Sequence, residues 1–229
     1  FGAVIAYLLK LPEFFYGIVA FICCMVSTLL IFKISKRGNK IEVNTLLIVG
    51  ITLSSFLAGF TSFAIYMIGE DSFKITMWLM GYLGNASWNQ IVFLIIPLIF
   101  SSAYFYAKRN ELDILMLGDE QAHSLGIDIA KLKFHLLIVS SFVVAYSVAF
   151  TGMIGFVGLI VPHIMRNIIG PLNKRLIPFV LIYGGIFLLT CDTLGRIILA
   201  PVEIPIGVIA SILGAPFFLY LALKRSRRK

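Results

Sequence analysis

Charge is scarce in this chain: Asp, Glu, Lys and Arg make up 13% of its 229 residues, against 60% hydrophobic residues and a mean hydropathy of +1.00. That leaves too little polar surface to cover a soluble globule, so the apolar runs must face lipid or one another, and the chain reads as an integral membrane protein. Cysteine is almost absent. Cys23, Cys24 and Cys191 form neither a disulfide framework nor a metal-ligand spacing, and all three fall in apolar segments as small hydrophobes. His123, His135 and His163 lie in separate segments without Cys or carboxylate partners at ligand spacing, so no metal site is expected. GxSxG, HExxH and Walker-type patterns are missing too, which leaves hydrolysis and nucleotide binding without a local signature. No catalytic residue and no cofactor is expected, and uphill movement of a solute would need energy from another chain. Phe1 opens in an apolar stretch with no basic leader or small-residue cleavage site. Residues 1–9 are therefore expected to be the tail of a spanning helix belonging to a longer protein.

What the chain has in quantity is apolar runs of spanning length, for which about 20 residues suffice. Seven follow the stub, at about 14–32, 46–68, 89–107, 134–151, 153–170, 176–199 and 204–223. The expected fold is all-α and polytopic, one transmembrane domain over residues 1–229 with a short outer-face helix and cytoplasmic coupling helices.

The loops between these runs alternate in charge. One set holds Lys33, Lys36, Arg37, Lys40, Lys108, Arg109, Lys131, Lys133, Arg166, Lys174, Arg175 and the tail from Lys224 to Lys229; the other holds only Lys10, Lys74 and Arg196. The excess marks the first set, and with it the C-terminus, as cytoplasmic. The net charge of +8 then reflects topology and anionic inner-leaflet lipid, with no need of nucleic acid.

Two segments break the pattern. Residues 72–84 carry Trp78 and Tyr82 after Glu70 and Asp71, an amphipathic piece too short to cross and expected along the outer face. The fifth run is punctuated by Gly152, Gly155, Gly158 and Pro162. Its helix is expected to be irregular and covered by neighbours, as a hinge or pathway element or simply for close packing.

Loop 108–133 is polar between apolar flanks and carries Glu111, Asp113, Asp119, Glu120 and Asp128. Gly118, an Asp119 cap with Glu120 in the first turn, and a Gly126 stop describe a helix of barely two turns. Such a helix would not be stable alone in water, so the loop is either a docking surface or a solvated connector.

Polar groups in the spans are few. Asp192 and Arg196 stand four apart on one helical face near the outer end of the sixth run, where they can pair with each other or leave the guanidinium for a partner's carboxylate. Glu203, flanked by Pro201 and Pro205, is expected to place its charge at the start of the last helix.

From Gly152 the sequence runs GMIGFVGLIVPHIMRNIIG, then CDTLGRIILAPVEIPIGV and LGAPFFLYL, preceded by LGDEQAHSLGI. This ordered series resembles the permease subunits of type II ABC importers for iron chelates, such as siderophores and haem, and for cobalamin. The resemblance covers most of the chain and is densest over 116–221. It implies a homodimer around a central pathway, two ATP-binding subunits beneath it and an extracytoplasmic substrate-binding protein. Gly118, Asp119, Glu120, Gln121, Ala122, His123, Ser124, Leu125 and Gly126 match the coupling segment that docks on the ATPase. Arg196 matches an arginine that faces a glutamate of the binding protein, and Val43, Asn44 and Ile48 match the region that narrows the pathway at its cytoplasmic end. Family members resemble ten-span proteins, so the first two spans and part of the third are expected to lie outside this chain.

The reading is therefore a cell-membrane permease that passes a chelate without altering it. Its main rival, an ion-coupled secondary transporter, would need ionisable groups near the bilayer midplane, and Asp192 is the one acidic residue within a run. An enzyme pairing His163 with Asp192 would need groups near opposite membrane faces to meet.

Overall fold

A computed structural model describes residues 1–37, 40–41, 43–84 and 86–226. Apart from one antiparallel pair of two-residue strands in the link after the second helix, Lys36–Arg37 with Lys40–Ile41, the ordered elements described are helical. They are α1 (Gly2–Leu8), α2 (Glu13–Ser35), α3 (Val43–Ile68), α4 (Phe73–Leu79), α5 (Trp88–Ala107), α6 (Arg109–Leu115), α7 (Asp119–Ser124), α8 (Ile129–Thr151), α9 (Val157–Ile169), α10 (Asn173–Ile197) and α11 (Ile206–Ser226), with a short 3-10 turn at Gly69–Ser72.

Five of these helices contain stretches long and apolar enough to cross a membrane: Phe15–Ser35, Asn44–Ile68, Trp88–Ala107, Ile129–Thr151 and Asn173–Ile197. Val157–Ile169 and Ile206–Leu221 are shorter apolar helices. The most apolar windows of α2 and α3 contain no buried residue, so these helices keep apolar side chains on the outside. The fifth expected run begins as a helix only at Val157, since residues 152–156 are not helical. Conversely α8 starts five residues before the expected apolar run. Its polar first turn is held by Asp128, whose carboxylate accepts the Lys131 amide at 3.1 Å.

The chain divides into two compact units, Phe1–Thr76 with Trp88–Phe150, and Met77–Ser87 with Thr151–Lys229. In the first, α1 lies so close to α2 that a Cβ on Gly2 would stand 2.7 Å from Ala20 Cα; Ala3, Val4 and Ala6 are buried there. Small residues permit this approach where no hydrophobic force separates helix from lipid. Helices α2 and α8 run antiparallel along their whole length. A Cβ on Gly17 would stand 3.0 Å from the Ala149 Cβ. Phe21 meets Phe142 edge-on at 5.5 Å, Thr28 donates to Ser141 at 3.2 Å, and Phe32 meets Phe134 at 4.6 Å. That order brings Lys33 to the same end as Lys131 and Lys133.

In the second unit α9, α10 and α11 pack on one another. Val161 and Met165 of α9 pack with Leu176 of α10 at one end. Cys191 of α10 packs with Ile206, Ile209 and Ala210 of α11 at the other, with Leu83 and Ile154 beside them. Glycines make the closest approaches. Gly152 (φ 70°) would drive a Cβ into the Trp78 carbonyl, Gly81 (φ 77°) would place one 2.7 Å from the Met153 carbonyl, and the Tyr82 amide donates to the Thr151 carbonyl at 3.1 Å. The 77–84 piece is thus tied to 151–154 by backbone contacts.

Candidate functional site

Two polar sites stand out, one in each unit. In the first unit, α6 and α7 sit between the spans α5 and α8. Gly118 is the N-cap of α7 at φ 112°, a conformation open to glycine, with no side-chain cap. The expected Asp119 cap is therefore replaced: Asp119 sits one position inside the helix and turns its carboxylate to Lys133, whose Nζ donates at 2.7 and 2.9 Å. The helix lasts six residues and stops as predicted, with Gly126 at φ 83° and the Ile127 amide donating back to the Ala122 carbonyl at 3.2 Å. Ala122 is fully buried, while Gly118, Asp119, Glu120, Gln121, His123, Ser124, Leu125 and Gly126 are exposed. Met116, about half exposed, and Leu117 and Leu125, more than half exposed, add apolar side chains beside the acidic Glu120. Just before α7, Lys108 donates to Glu111 at 2.8 Å, and this contact holds the Glu111 carboxyl below the usual range. Asp128 is likewise held low, first by the backbone amide of Lys131 and then by its side chain.

Of the predicted gate residues, Asn44 and Ile48 lie on the first turns of α3 and are exposed, whereas Val43 opens the helix and its side chain falls outside the described residues. So do the side chains of Lys36, Arg37, Lys40, Lys74 and the tail from Lys224. Asn44 and Ile48 are followed at helical spacing by exposed Thr52, Ser55, Gly59 and Ser62. A spanning helix that turns such a stripe outward presents a face poorly suited to lipid.

In the second unit, Arg196 Nε donates to Asp192 Oδ2 at 2.8 Å, the pairing that four-residue spacing allows. Sequence reasoning missed the rest. Arg196 Nη1 reaches Glu203 Oε1 at 3.4 Å, and Tyr82, more than a hundred residues away in sequence, donates its hydroxyl to Glu203 Oε2 at 2.8 Å. That bond to a carboxylate pushes the Tyr82 phenol above its ordinary value. Glu203 is therefore engaged by the guanidinium and the phenol. Gly195 makes the turn possible: a Cβ there would stand 2.6 Å from the Ile204 carbonyl, and the Ile204 amide donates to the Gly195 carbonyl at 2.9 Å. Arg196 remains 43% exposed at its side chain, so it is open to a further partner.

His163 packs edge-on against Phe217 at 6.2 Å. It lies at the Leu176 end of α10 and Asp192 at the Ile206 end, about 24 Å apart along the helix by 1.5 Å per residue. The two cannot share a proton. Among the described residues no group of three or more His, Cys, Asp or Glu could hold a metal ion.

Five helices of spanning length with an exposed turn between two of them define a multi-pass membrane protein. The chain belongs to the FecCD transport family, which matches residues 1–224. It is 36% identical over 209 residues to the cobalamin import system permease protein BtuC of Halobacterium salinarum, covering 91% of this chain and 56% of that protein. It is 33% identical over 211 residues to the hemin transport system permease protein HmuU of Yersinia pestis, covering 92% and 63%. With the Fe(3+) dicitrate transport system permease protein FecD of Escherichia coli it shares 31% over 215 residues, covering 94% and 67%. A solved ABC transporter described as of metal-chelate type, in an inward-facing conformation, superposes with a TM-score of 0.88 at 27% identity, covering 97% of this chain and 71% of that one. The chain thus spans about three-fifths of the length of the curated relatives it matches.

Proposed function

We propose that this chain is the permease part of an ATP-driven importer for a metal chelate, ferric siderophore or haem, or for cobalamin. The observation that carries the reading is the exposure of Glu120 on a six-residue helix between two spans and of Leu117 and Leu125 on the residues that flank it. Such a helix has no reason to bare apolar side chains beside a carboxylate unless a partner covers them.

That partner is an ATP-binding subunit, two per transporter, gripping 118–126 from the cytoplasm. A second permease copy faces the Thr52, Ser55, Gly59 and Ser62 stripe across a central pathway that narrows at Val43, Asn44 and Ile48. An extracytoplasmic binding protein docks through a carboxylate on Arg196. The chain forms a single permease domain in the cell membrane with seven spans: α9, about 20 Å of helix at 1.5 Å per residue, crosses with the help of the non-helical 152–156, and α11 is the last span, leaving the C-terminus cytoplasmic. The chain itself is not an enzyme and needs no cofactor; closing of the ATPases moves the spans between two arrangements.

The test is reconstitution of the full-length permease with its ATP-binding subunit. Glu120→Lys and Leu125→Glu are expected to release that subunit and abolish ATP-dependent uptake of radioiron-labelled siderophore, haem or radiolabelled cobalamin. Uptake that survives both changes contradicts the docking surface, and uptake driven by an ion gradient without ATP contradicts the class.

A further inference from the structure

Helix α7 has little to hold it. It is too short to persist alone, and its one buried side chain is the methyl of Ala122. Besides its packing on α6, it is attached at its first residue, where Lys133 Nζ contacts both carboxylate oxygens of Asp119 at 2.7 and 2.9 Å. The two partners differ in surroundings: the Asp119 side chain is 54% exposed, and that of Lys133 only 14%. Lys133 lines an open cavity together with Leu46 of α3, Phe105 of α5, Leu112 of α6 and Leu136 and Leu137 of α8. A lysine side chain this little exposed has fewer rotamers left to lose than a free surface lysine, so the pair is stiffer than a surface salt bridge between two free side chains. Lys133 stands in the second turn of a 23-residue helix, about 35 Å long at 1.5 Å per residue. A displacement of α7 arriving at this point is delivered to a long lever and, through the cavity wall, to the start of α3.

We infer that Lys133 is a positioning residue that makes α7 and α8 move together, so that force applied to the coupling segment reaches the spans. This rests on the docking reading above, but it assigns a separate role to a residue outside the docked segment. Lys133 itself lies outside the docked segment, and Glu120, Leu125 and Leu117 are exposed beside the clamped Asp119.

The experiment uses the assembled transporter in proteoliposomes with Lys133→Met, Lys133→Arg, Asp119→Asn and the double variant Asp119→Asn with Lys133→Met. Methionine keeps most of the stem in the cavity and removes the charge. Retained ATP-binding subunit, ATP hydrolysed and labelled siderophore, haem or cobalamin moved are measured together. Lys133→Met is expected to keep the subunit bound and hydrolysing while moving about three- to tenfold less solute per ATP; Lys133→Arg is expected to retain coupling, and the double variant to be no worse than Lys133→Met. Hydrogen exchange of amides 119–126 in the permease alone is expected to quicken in Lys133→Met and not in Lys133→Arg. Wild-type stoichiometry in Lys133→Met, or losses that multiply in the double variant, would overturn the inference while leaving docking intact. Failure of the wild-type permease to retain the subunit at all would instead overturn the docking reading.

Discussion

Two segments of this chain are bounded by glycines in left-handed conformations, and their surroundings are opposite. At Gly118 and Gly126, which frame α7, an added Cβ would meet nothing within 4 Å; at Gly81 and Gly152 it would run into the backbone of Met153 and Trp78. The first pair shapes an exposed turn that packs on α6, buries the Ala122 methyl and is clamped by the Asp119–Lys133 ion pair. The second pair locks the 77–84 piece onto the approach to α9. In one segment the glycines are there for the torsion angle alone, in the other for torsion and contact both. A free segment can be moved by a partner, and a locked one can serve as the frame against which movement is registered.

The largest effect that would break this contrast is expected from Gly152→Ala. It adds a backbone clash to a strained torsion, at a cost of about 3 kcal/mol or more, and should sharply lower the yield of folded permease in membranes. Normal yield and melting temperature would show that the 77–84 piece is not locked. Next comes Arg196→Ala, which removes the cation between Asp192 and Glu203 and is expected to slow association with an acidic binding protein several-fold and flatten its salt dependence. Tyr82→Phe, which takes the phenol from Glu203 and leaves Arg196 in place, should change that rate far less. Unchanged association in Arg196→Ala would remove this cluster from the docking surface.

Gly126→Ala at the free segment is expected to cost only about 1 kcal/mol, from the torsion angle. Expression should be normal, with faster amide exchange confined to 119–126. A drop in yield like that of Gly152→Ala would abolish the contrast.

The smallest effect concerns Asp128, whose lowered carboxyl marks it as a cap for α8. A depressed folded value stabilises above the ordinary carboxylate range, near 3.9 for aspartate, and the contribution disappears as the pH falls through the lowered value. Asp128→Ala should therefore melt slightly below the parent at pH 7, and the gap should close in acid. A gap that is the same at pH 7 and pH 3 would assign the loss to something other than the charged cap.

The apolar runs were legible because a helix crossing lipid must satisfy its own backbone, so hydropathy alone locates it. Hydropathy finds the part in lipid and not the whole helix, which is why α8 was set at 134 although Asp128 starts it at Ile129. Gly152, Gly155 and Gly158 signalled an irregular fifth run, and the helix does begin only at Val157. The 118–126 turn was legible in its length and glycine stop. Its cap was not, because a carboxylate at a helix start can serve either the amides or a cation, and Lys133 lies outside the local window that sequence reasoning inspects. Tyr82 was out of reach for the same reason. Its partner Glu203 belongs to a distant turn, and the glycine contacts at 81, 152, 195 and 207 help bring the two segments together.

The measurement that tests the account most directly is accessibility of residue 123. With Cys23, Cys24 and Cys191 replaced by serine, His123→Cys should react with a membrane-impermeant maleimide in inside-out vesicles and not in intact cells, and added ATP-binding subunit should protect it. Rapid labelling from outside intact cells would place α7 on the wrong face of the membrane and contradict the coupling role.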